Sequence, residues 1–495
     1  MRILSKRGDE IIILALPGEE FAKGEYLKIV DEKADTHMVV QLYDSAYLDS
    51  PGIQEDLLRD ELFSGSELNR LDPLQMESLG IMIKDARVLL CKIRCIVKGG
   101  RRVPDSGWLP SRSSSTVKKM SVRELYDIIG SRGSRRILLG ECANGEGFHI
   151  NAEDLDGRLN IVTGRKEAGK SHMAKLLVSG LLDHGARVLI FDLNGEYGGL
   201  ALGRDGRASR YAGKVKVLQP GYNLKFSMRY LGKRILVDIL QNVLEVPGAS
   251  MREFMRIWDY LEQCGRITLK DLEETLSHWR CNEFVRDALL SRFYSLLSSD
   301  LISDNVRYVS TLEEEFAAMK EGGALVVTLS GVGPLARRMI VECILAKLID
   351  CLEQRTLEPV FLLAEEAHLY LRHTYWEDLI TRMRHFGVFS TFVTNQPDAI
   401  GADIYRQADN IFLYNFTNEK DIEQVAQASM TDFETVRSIV RTLEPRHCLV
   451  LGKVVGDLPV VVRSMDTEFQ SLGSTRLFFS SQLEKTAAVE ARIEK

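Results

Sequence analysis

Three things are missing from this sequence, and each absence removes a class of function. No stretch of the 495 residues approaches the ~18 uninterrupted apolar residues of a membrane span, and the N-terminus MRILSKRGDEIIILALPGEE meets acidic residues too soon to act as a secretory signal core. The expected location is therefore the cytoplasm, with no membrane among the partners. A cysteine framework is missing too. The eight cysteines, at 91, 95, 142, 264, 281, 343, 351 and 448, are scattered; Cys91 and Cys95 can share a strand face, but no second Cys or His pair stands near to complete a zinc site. They read as reduced core thiols. Nor is there a basic excess: 64 Lys and Arg against 70 Asp and Glu give a net charge of −6 and a pI near 6.0. Such a chain has no overall attraction to nucleic acid, so any polyanion site must be local.

What is present is the composition of a globular protein, 45% apolar and 27% charged, in a length that suggests about two to four domains. Residues 1–105 carry β-rich runs, Glu10 to Leu16, Tyr26 to Val30, Met38 to Leu42 and Ala86 to Ile96, separated by turn residues. They predict a small barrel or sandwich, interrupted by a helical pattern around Leu57 to Leu79. The segment Lys98 to Lys119 is rich in Gly, Ser, Pro and cations and reads as a linker, after which Ser121 and Glu124 form a capping box for a short helix ending at Gly130. Linker and helix together fill 106–134.

From 135 to 465 apolar strands alternate with helices, the pattern of an α/β domain with a mostly parallel sheet. The strand candidates are Asn160 to Thr163, Arg187 to Asp192, Ala324 to Leu329, Val360 to Ala364, Val388 to Thr394, Asn410 to Tyr414 and His447 to Leu451. Between about 235 and 305 a helical insertion replaces them, with Ser250 and Glu253 as a capping box and Phe254, Ile257, Trp258 and Leu261 on one face. The tail 466–495 turns polar, and Leu477 to Phe479 could dock on a neighbour.

The chemistry concentrates at Gly164, Arg165, Lys166, Glu167, Ala168, Gly169, Lys170 and Ser171, which match G-x-x-x-x-G-K-[ST] between a buried strand and a helix and with His172 form the candidate nucleotide-binding residues. In such a loop glycines let backbone N–H groups approach phosphates, Lys170 reaches the β/γ oxygens and Ser171 ligates Mg²⁺. Hydrolysis needs acids as well. VFLLAEEAH, Val360 to His368, supplies two at a strand end: Glu365 to assist Mg²⁺ through water and Glu366 as general base. Asp192, Glu196 and Tyr197 form a second acidic corner that reads equally as a site border or a plain turn. Asn395 and Gln396, before Pro397, offer a neutral amide to the γ-phosphate or the attacking water, or are a turn. Arg382 and Arg384 in TRMRHFG could reach across a subunit boundary as an arginine finger.

Together GRKEAGKS, DLNGEY (Asp192 to Tyr197), LSG (Leu329 to Gly331), EEAH (Glu365 to His368), MRHFG (Met383 to Gly387), TNQP and the linker element WLPSR (Trp108 to Arg112) resemble the HerA family of hexameric RecA-like ATPases, within the HerA/FtsK group. The resemblance implies a RecA-like P-loop core behind an N-terminal HAS-like β-barrel, a ring that encircles double-stranded DNA, ATP and Mg²⁺ as cofactors, and a NurA-type nuclease as partner in end resection. It further implies that Lys170 and Ser171 bind nucleotide and Mg²⁺, Glu366 is the catalytic carboxylate, Gln396 the sensor and Arg384, rather than Arg382, the finger. Three departures stand out: Glu167 replaces a usual glycine, where its charge should repel phosphate; Glu365 replaces a commoner Asp; and Met383 and His385 break the usual finger segment. Arg337, Arg338, Arg372 and His373 are candidates for pore loops, or are solvated cations. Two other functions fit the same motifs: a soluble motor of a conjugation or secretion system, and a nucleotide-assembled scaffold.

Overall fold

The computed structural model describes residues 1–15, 18–31, 36–49, 85–103, 107–130, 133–319, 321–370, 383–470 and 472. They fall into two compact units, one built from residues of 1–180, 366–384 and 389–466, the other from 181–365, 385–388 and 467–495.

The first unit opens with an antiparallel barrel-like sheet. Its strands are β1 (Arg2–Arg7), β2 (Glu10–Ala15), β3 (Tyr26–Asp31), β4 (Thr36–Tyr47), β5 (Arg87–Lys98), β6 (Arg101–Val103) and β7 (Ser115–Lys119), in the order β1-β2-β5-β4-β3-β7 with β6 beside β5. Alternation sets its interior: Ile11 and Ile13, Leu27 and Ile29, and Met38, Val40 and Leu42 all point into one core, with Cys91 among them. Part of the expected linker, Arg101–Val103 and Ser115–Lys119, belongs to this sheet. Trp108 packs on the barrel core, and the β-competent sequence STVKK of β7 pairs along β3, whose edge would otherwise stand open. The helix α1 (Val122–Ile129) has the expected Ser121/Glu124 capping box and ends on left-handed Gly130. The helical pattern at Leu57 to Leu79 and the apolar triplet at Leu477 to Phe479 lie outside the described residues.

The α/β part of this unit begins with β8 (Arg136–Glu141), β9 (Gly147–Asn151), β10 (Asn160–Thr163) and α2 (Lys170–Asp183). The chain then passes through the second unit: β11 (Arg187–Asp192), β12 (Val215–Leu218), α3 (Met228–Asp238), α4 (Gly248–Gln263), α5 (Leu269–His278), α6 (Glu283–Leu297), α7 (Leu312–Ala317), β13 (Gly323–Thr328), α8 (Pro334–Glu353) and β14 (Val360–Glu365). It returns through β15 (Val388–Thr394), α9 (Ala402–Arg406), β16 (Asn410–Leu413), α10 (Glu419–Ala428), α11 (Phe433–Thr442), β17 (His447–Gly452) and β18 (Val460–Ser464).

In the second unit four parallel strands run in the order β12-β13-β11-β14. The helical insertion is there, but its first cap is not the expected one. Helix α4 starts three residues earlier, behind Pro247, and Ser250 is buried within it while Glu253 accepts a hydrogen bond from Trp279 Nε1 at 3.0 Å. Its apolar face, Phe254, Ile257, Trp258 and Leu261, is buried as the helical period requires. At the tail, Phe469 is buried and Gln470 donates its backbone N–H to Leu202 O.

In the first unit β10 lies between β15 and β16, parallel to both, and every residue of its four is buried. Beyond β16 the neighbours β17, β18, β8 and β9 are antiparallel. Asn160 and Asn410, both fully buried, fix the β10/β16 register: Asn410 Nδ2 donates to Asn160 Oδ1 at 2.7 Å, and Val454 N–H donates to Asn410 Oδ1 at 2.7 Å. The barrel is tied to α11 by charge. Arg94 on β5 donates to Gln41, to Asp432 at 2.9 Å and to Thr435 at 2.8 Å, and Lys92 bridges Glu10 and Glu434. A partly buried pair of this kind is costly to break from one side only, since the orphaned charge stays desolvated. Among the described residues no helix is long and apolar enough to cross a membrane.

Candidate nucleotide-binding and catalytic site

Strand β10 delivers the chain to Gly164 at its C-terminal end, where phosphate sites of parallel sheets form. The glycines there are required by geometry. Gly164 has φ 151°, and a Cβ on it would stand 2.3 Å from Tyr414 Cβ; Gly169, at φ 115°, would put one 3.3 Å from Arg446 Cα. Two backbone bonds clamp the loop at its ends. Arg165 N–H donates to Asn415 O at 2.9 Å, and Arg446 N–H donates to Ala168 O at 2.8 Å. Arg165, Lys166 and Glu167 form an exposed crest, while Ala168 and Lys170 are buried. Lys170 Nζ donates to Arg165 O at 2.8 Å, which holds the ammonium across the loop. Ser171 sits in the first turn of α2, where the helix dipole favours an anion. The loop's open backbone, buried lysine and helix-start hydroxyl suit a nucleoside triphosphate with a bound divalent cation.

His172 follows, half-buried, with Nε2 at 2.7 Å from Met465 O. Burial pushes its pKa below the ordinary histidine value, so the neutral ring donates to that carbonyl. Glu167 has φ 62°, in the left-handed region that glycine adopts freely.

Glu365 closes β14 and is fully buried at 1% exposure. Glu366, the next residue, holds a left-handed backbone at φ 47° and ψ 45°, a strained position for a residue with a side chain. Its Oε2 lies 3.4 Å from His368 Nδ1, which is 3.1 Å from Thr394 Oγ1. Thr394 Oγ1 also accepts from Gln396 N–H at 3.1 Å. The two motifs EEAH and TNQP thus meet through His368 and fully buried Thr394, two residues with no assigned part in the sequence analysis. The two-residue offset from Glu366 to His368 was the available signal for the first; nothing local marked the second.

The amides separate. Gln396 is exposed, whereas Asn395 is half-buried and its Oδ1 is buried without a hydrogen-bond partner. Arg384 is exposed beside Met383, whose buried thioether sits 3.5 Å from Ser390 Oγ. Arg382, Arg372 and His373 lie outside the described residues. Asp192 resolves toward a turn: its carboxylate accepts the N–H groups of Gly195, Glu196 and Tyr197 at 2.8 to 3.0 Å. Arg337 and Arg338 donate to the carbonyls of Val332 and Asn242, at 3.0 and 3.4 Å.

Residues 162–348 match the family described as "Helicase HerA, central domain". Proteins named DNA double-strand break repair helicase HerA are similar over most of their length. The one from Saccharolobus solfataricus is 23% identical over 416 residues, 77% of this chain and 78% of the relative. The one from Sulfolobus acidocaldarius is 24% identical over 492 residues, 92% of this chain and 91% of the relative. The chain is similar to the HerA family along most of its length. That similarity and the phosphate loop together give the enzyme class, a P-loop ATPase. Among solved structures, the bacterial conjugative coupling protein TrwB, truncated at its N-terminus, superposes with a TM-score of 0.51 at 15% identity, covering 72% of this chain and 94% of that one. At that identity the likeness concerns the fold, a RecA-like P-loop core.

The left-handed backbone at Glu167 gives a first prediction. Glu167→Gly relieves the conformation and removes a carboxylate from the phosphate cradle, and should tighten ATP binding about three- to tenfold in titration calorimetry. An unchanged affinity would mean that the carboxylate points away from the phosphates.

Proposed function

We propose that this protein is a ring-forming, Mg²⁺-dependent ATPase that translocates on double-stranded DNA and acts as a helicase in double-strand break repair beside a NurA-type nuclease. The observation that carries the reading is the joining of the phosphate loop's strand β10 to β15, at whose end Thr394 meets His368 and Glu366. A phosphate site with an acid poised on one flank hydrolyses rather than merely binds.

In this reading Lys170 would steady the β/γ oxygens, and Ser171 would hold Mg²⁺. That ion neutralises charge on the β- and γ-phosphates when bound. Glu366 takes the proton from the attacking water; the new O–P bond forms on the γ-phosphorus as the bond to the β–γ bridging oxygen breaks, leaving ADP and phosphate. His368 holds Glu366 in place, tied in turn to Thr394. Arg384, exposed four residues before β15, serves a neighbouring subunit's site as the finger, and the backbone of Gly164 to His172 cradles the phosphates. The sensing amide is assigned to Asn395 ahead of Gln396, because the former holds a buried unmet polar atom and the latter faces solvent. The chain's net charge of −6 accords with contacts to duplex phosphates confined to a ring's pore.

The assignment of the amides predicts that Asn395→Ala lowers kcat about a hundredfold with little change in ATP affinity, while Gln396→Ala stays within about threefold of wild type; the reverse order in steady-state ATPase assays would return the role to Gln396. For the function as a whole, ATPase turnover is measured with and without linear duplex DNA beside a mass measurement in nucleotide. Duplex-stimulated turnover by an oligomer is expected. A monomer that no duplex stimulates would overturn the proposal.

A further inference from the structure

The two neighbours of β10 give the nucleotide site a direction. Glu366, His368 and Thr394 gather on the β15 flank, so the γ-phosphate belongs there and the nucleoside belongs on the opposite flank, beside β16. That flank has its own construction. Arg446, which precedes β17, donates its N–H to Ala168 O, and its own carbonyl accepts from Ser464 N–H at 2.8 Å. Met465, next in sequence, offers the carbonyl that His172 Nε2 meets at 2.7 Å. Asp466 follows, with Oδ1 at 2.5 Å from Arg446 Nη1.

Two segments distant in sequence, 444–446 and 464–466, are therefore stitched to the loop and to the first turn of α2, and the charged pair they carry is left standing beside that turn. Arg446 and Asp466 both act on His172 electrostatically, the first disfavouring and the second favouring its protonated form. Both remain open to solvent, at 51% and 64% side-chain exposure. An exposed pair contributes little to stability, yet Arg446 holds a left-handed backbone at φ 68°. Strain of that kind persists only where the surroundings fix it, and here the bonds to Ala168 O and from Ser464 N–H do so.

We propose that Arg446 is the nucleoside-recognition residue of this site: its guanidinium plane, held by Asp466, stacks on the purine base of the bound nucleotide. The inference rests on the nucleotide-binding reading above and extends it. Stacking on a guanidinium uses the π-face that every base has, so the subsite distinguishes a nucleotide from a bare phosphate chain while discriminating weakly between purines. Asp466 is a positioning residue that keeps the plane in register.

The test is calorimetric titration of the full chain with ATP, GTP and inorganic tripolyphosphate, each with Mg²⁺. Wild-type protein should bind ATP and GTP within about threefold of each other and more tightly than tripolyphosphate. Arg446→Gln should weaken both nucleotides about tenfold and tripolyphosphate by less than about twofold. Asp466→Asn should move the nucleotides about threefold in the same direction and leave tripolyphosphate unchanged. Equal losses for nucleotides and tripolyphosphate would make Arg446 a brace of the phosphate loop, and no loss in any ligand would make the pair a solvated ion pair; either result overturns the proposal. Wild-type protein that binds none of the three overturns the nucleotide-site reading itself, and this inference with it.

Discussion

The site depends on a clamp made from backbone. Arg165 N–H to Asn415 O and Ala168 O to Arg446 N–H hold the phosphate loop at both ends, and Gly164 lies so close to Tyr414 that no side chain fits there. A loop that must present its backbone to phosphate cannot satisfy itself by folding inward. Here the segments that follow β16 and precede β17 hold its shape. Those segments are fixed in turn by side chains: Asn415 Nδ2 donates to Leu443 O at 2.9 Å, and α11, which ends just before Leu443, is the helix to which the barrel's Arg94 and Lys92 are tied. The barrel is thus linked to the phosphate loop through α11, one helix away.

Of the seven residues other than glycine that hold left-handed backbone among the described residues, three lie in this region. Glu167, Glu366 and Arg446 all hold left-handed backbone, at φ 62°, 47° and 68°, where each costs roughly 1–3 kcal/mol. One lies in the loop, one on the acid flank and one on the opposite flank. Each is retained by a local constraint: β10 and α2 bracket the first, the end of β14 fixes the second, and the bond to Ala168 O fixes the third.

Much of this could be read in advance, because the relevant signals are local. Strand β10 and the loop after it are contiguous, β11, β15 and β16 are short apolar runs at the expected residues, and the Ser121 capping box is a four-residue pattern. What could not be read is pairwise and distant. Strand β7 looks like a linker by composition and becomes a strand only because β3 has an open edge. Ser250 and Glu253 satisfy the capping rule on paper, but Pro247 starts the helix earlier and buries the serine. The union of Glu366 with Thr394 through His368, and of Arg446 with Asp466, joins residues brought together only by the fold. The same holds for the choice between Asn395 and Gln396, since adjacent residues before a proline differ in burial for reasons no window of sequence contains.

If this phosphate loop serves hydrolysis with Glu366 as the base, removing that carboxylate separates binding from cleavage. Single-turnover ATP cleavage by Glu366→Gln, measured beside its affinity for Mg²⁺-ATP, should show binding within about threefold of wild type and cleavage slowed by about 10²- to 10⁴-fold. Cleavage at the wild-type rate with binding intact would rule out Glu366 as the base, because the proton of the attacking water would then be leaving by another route.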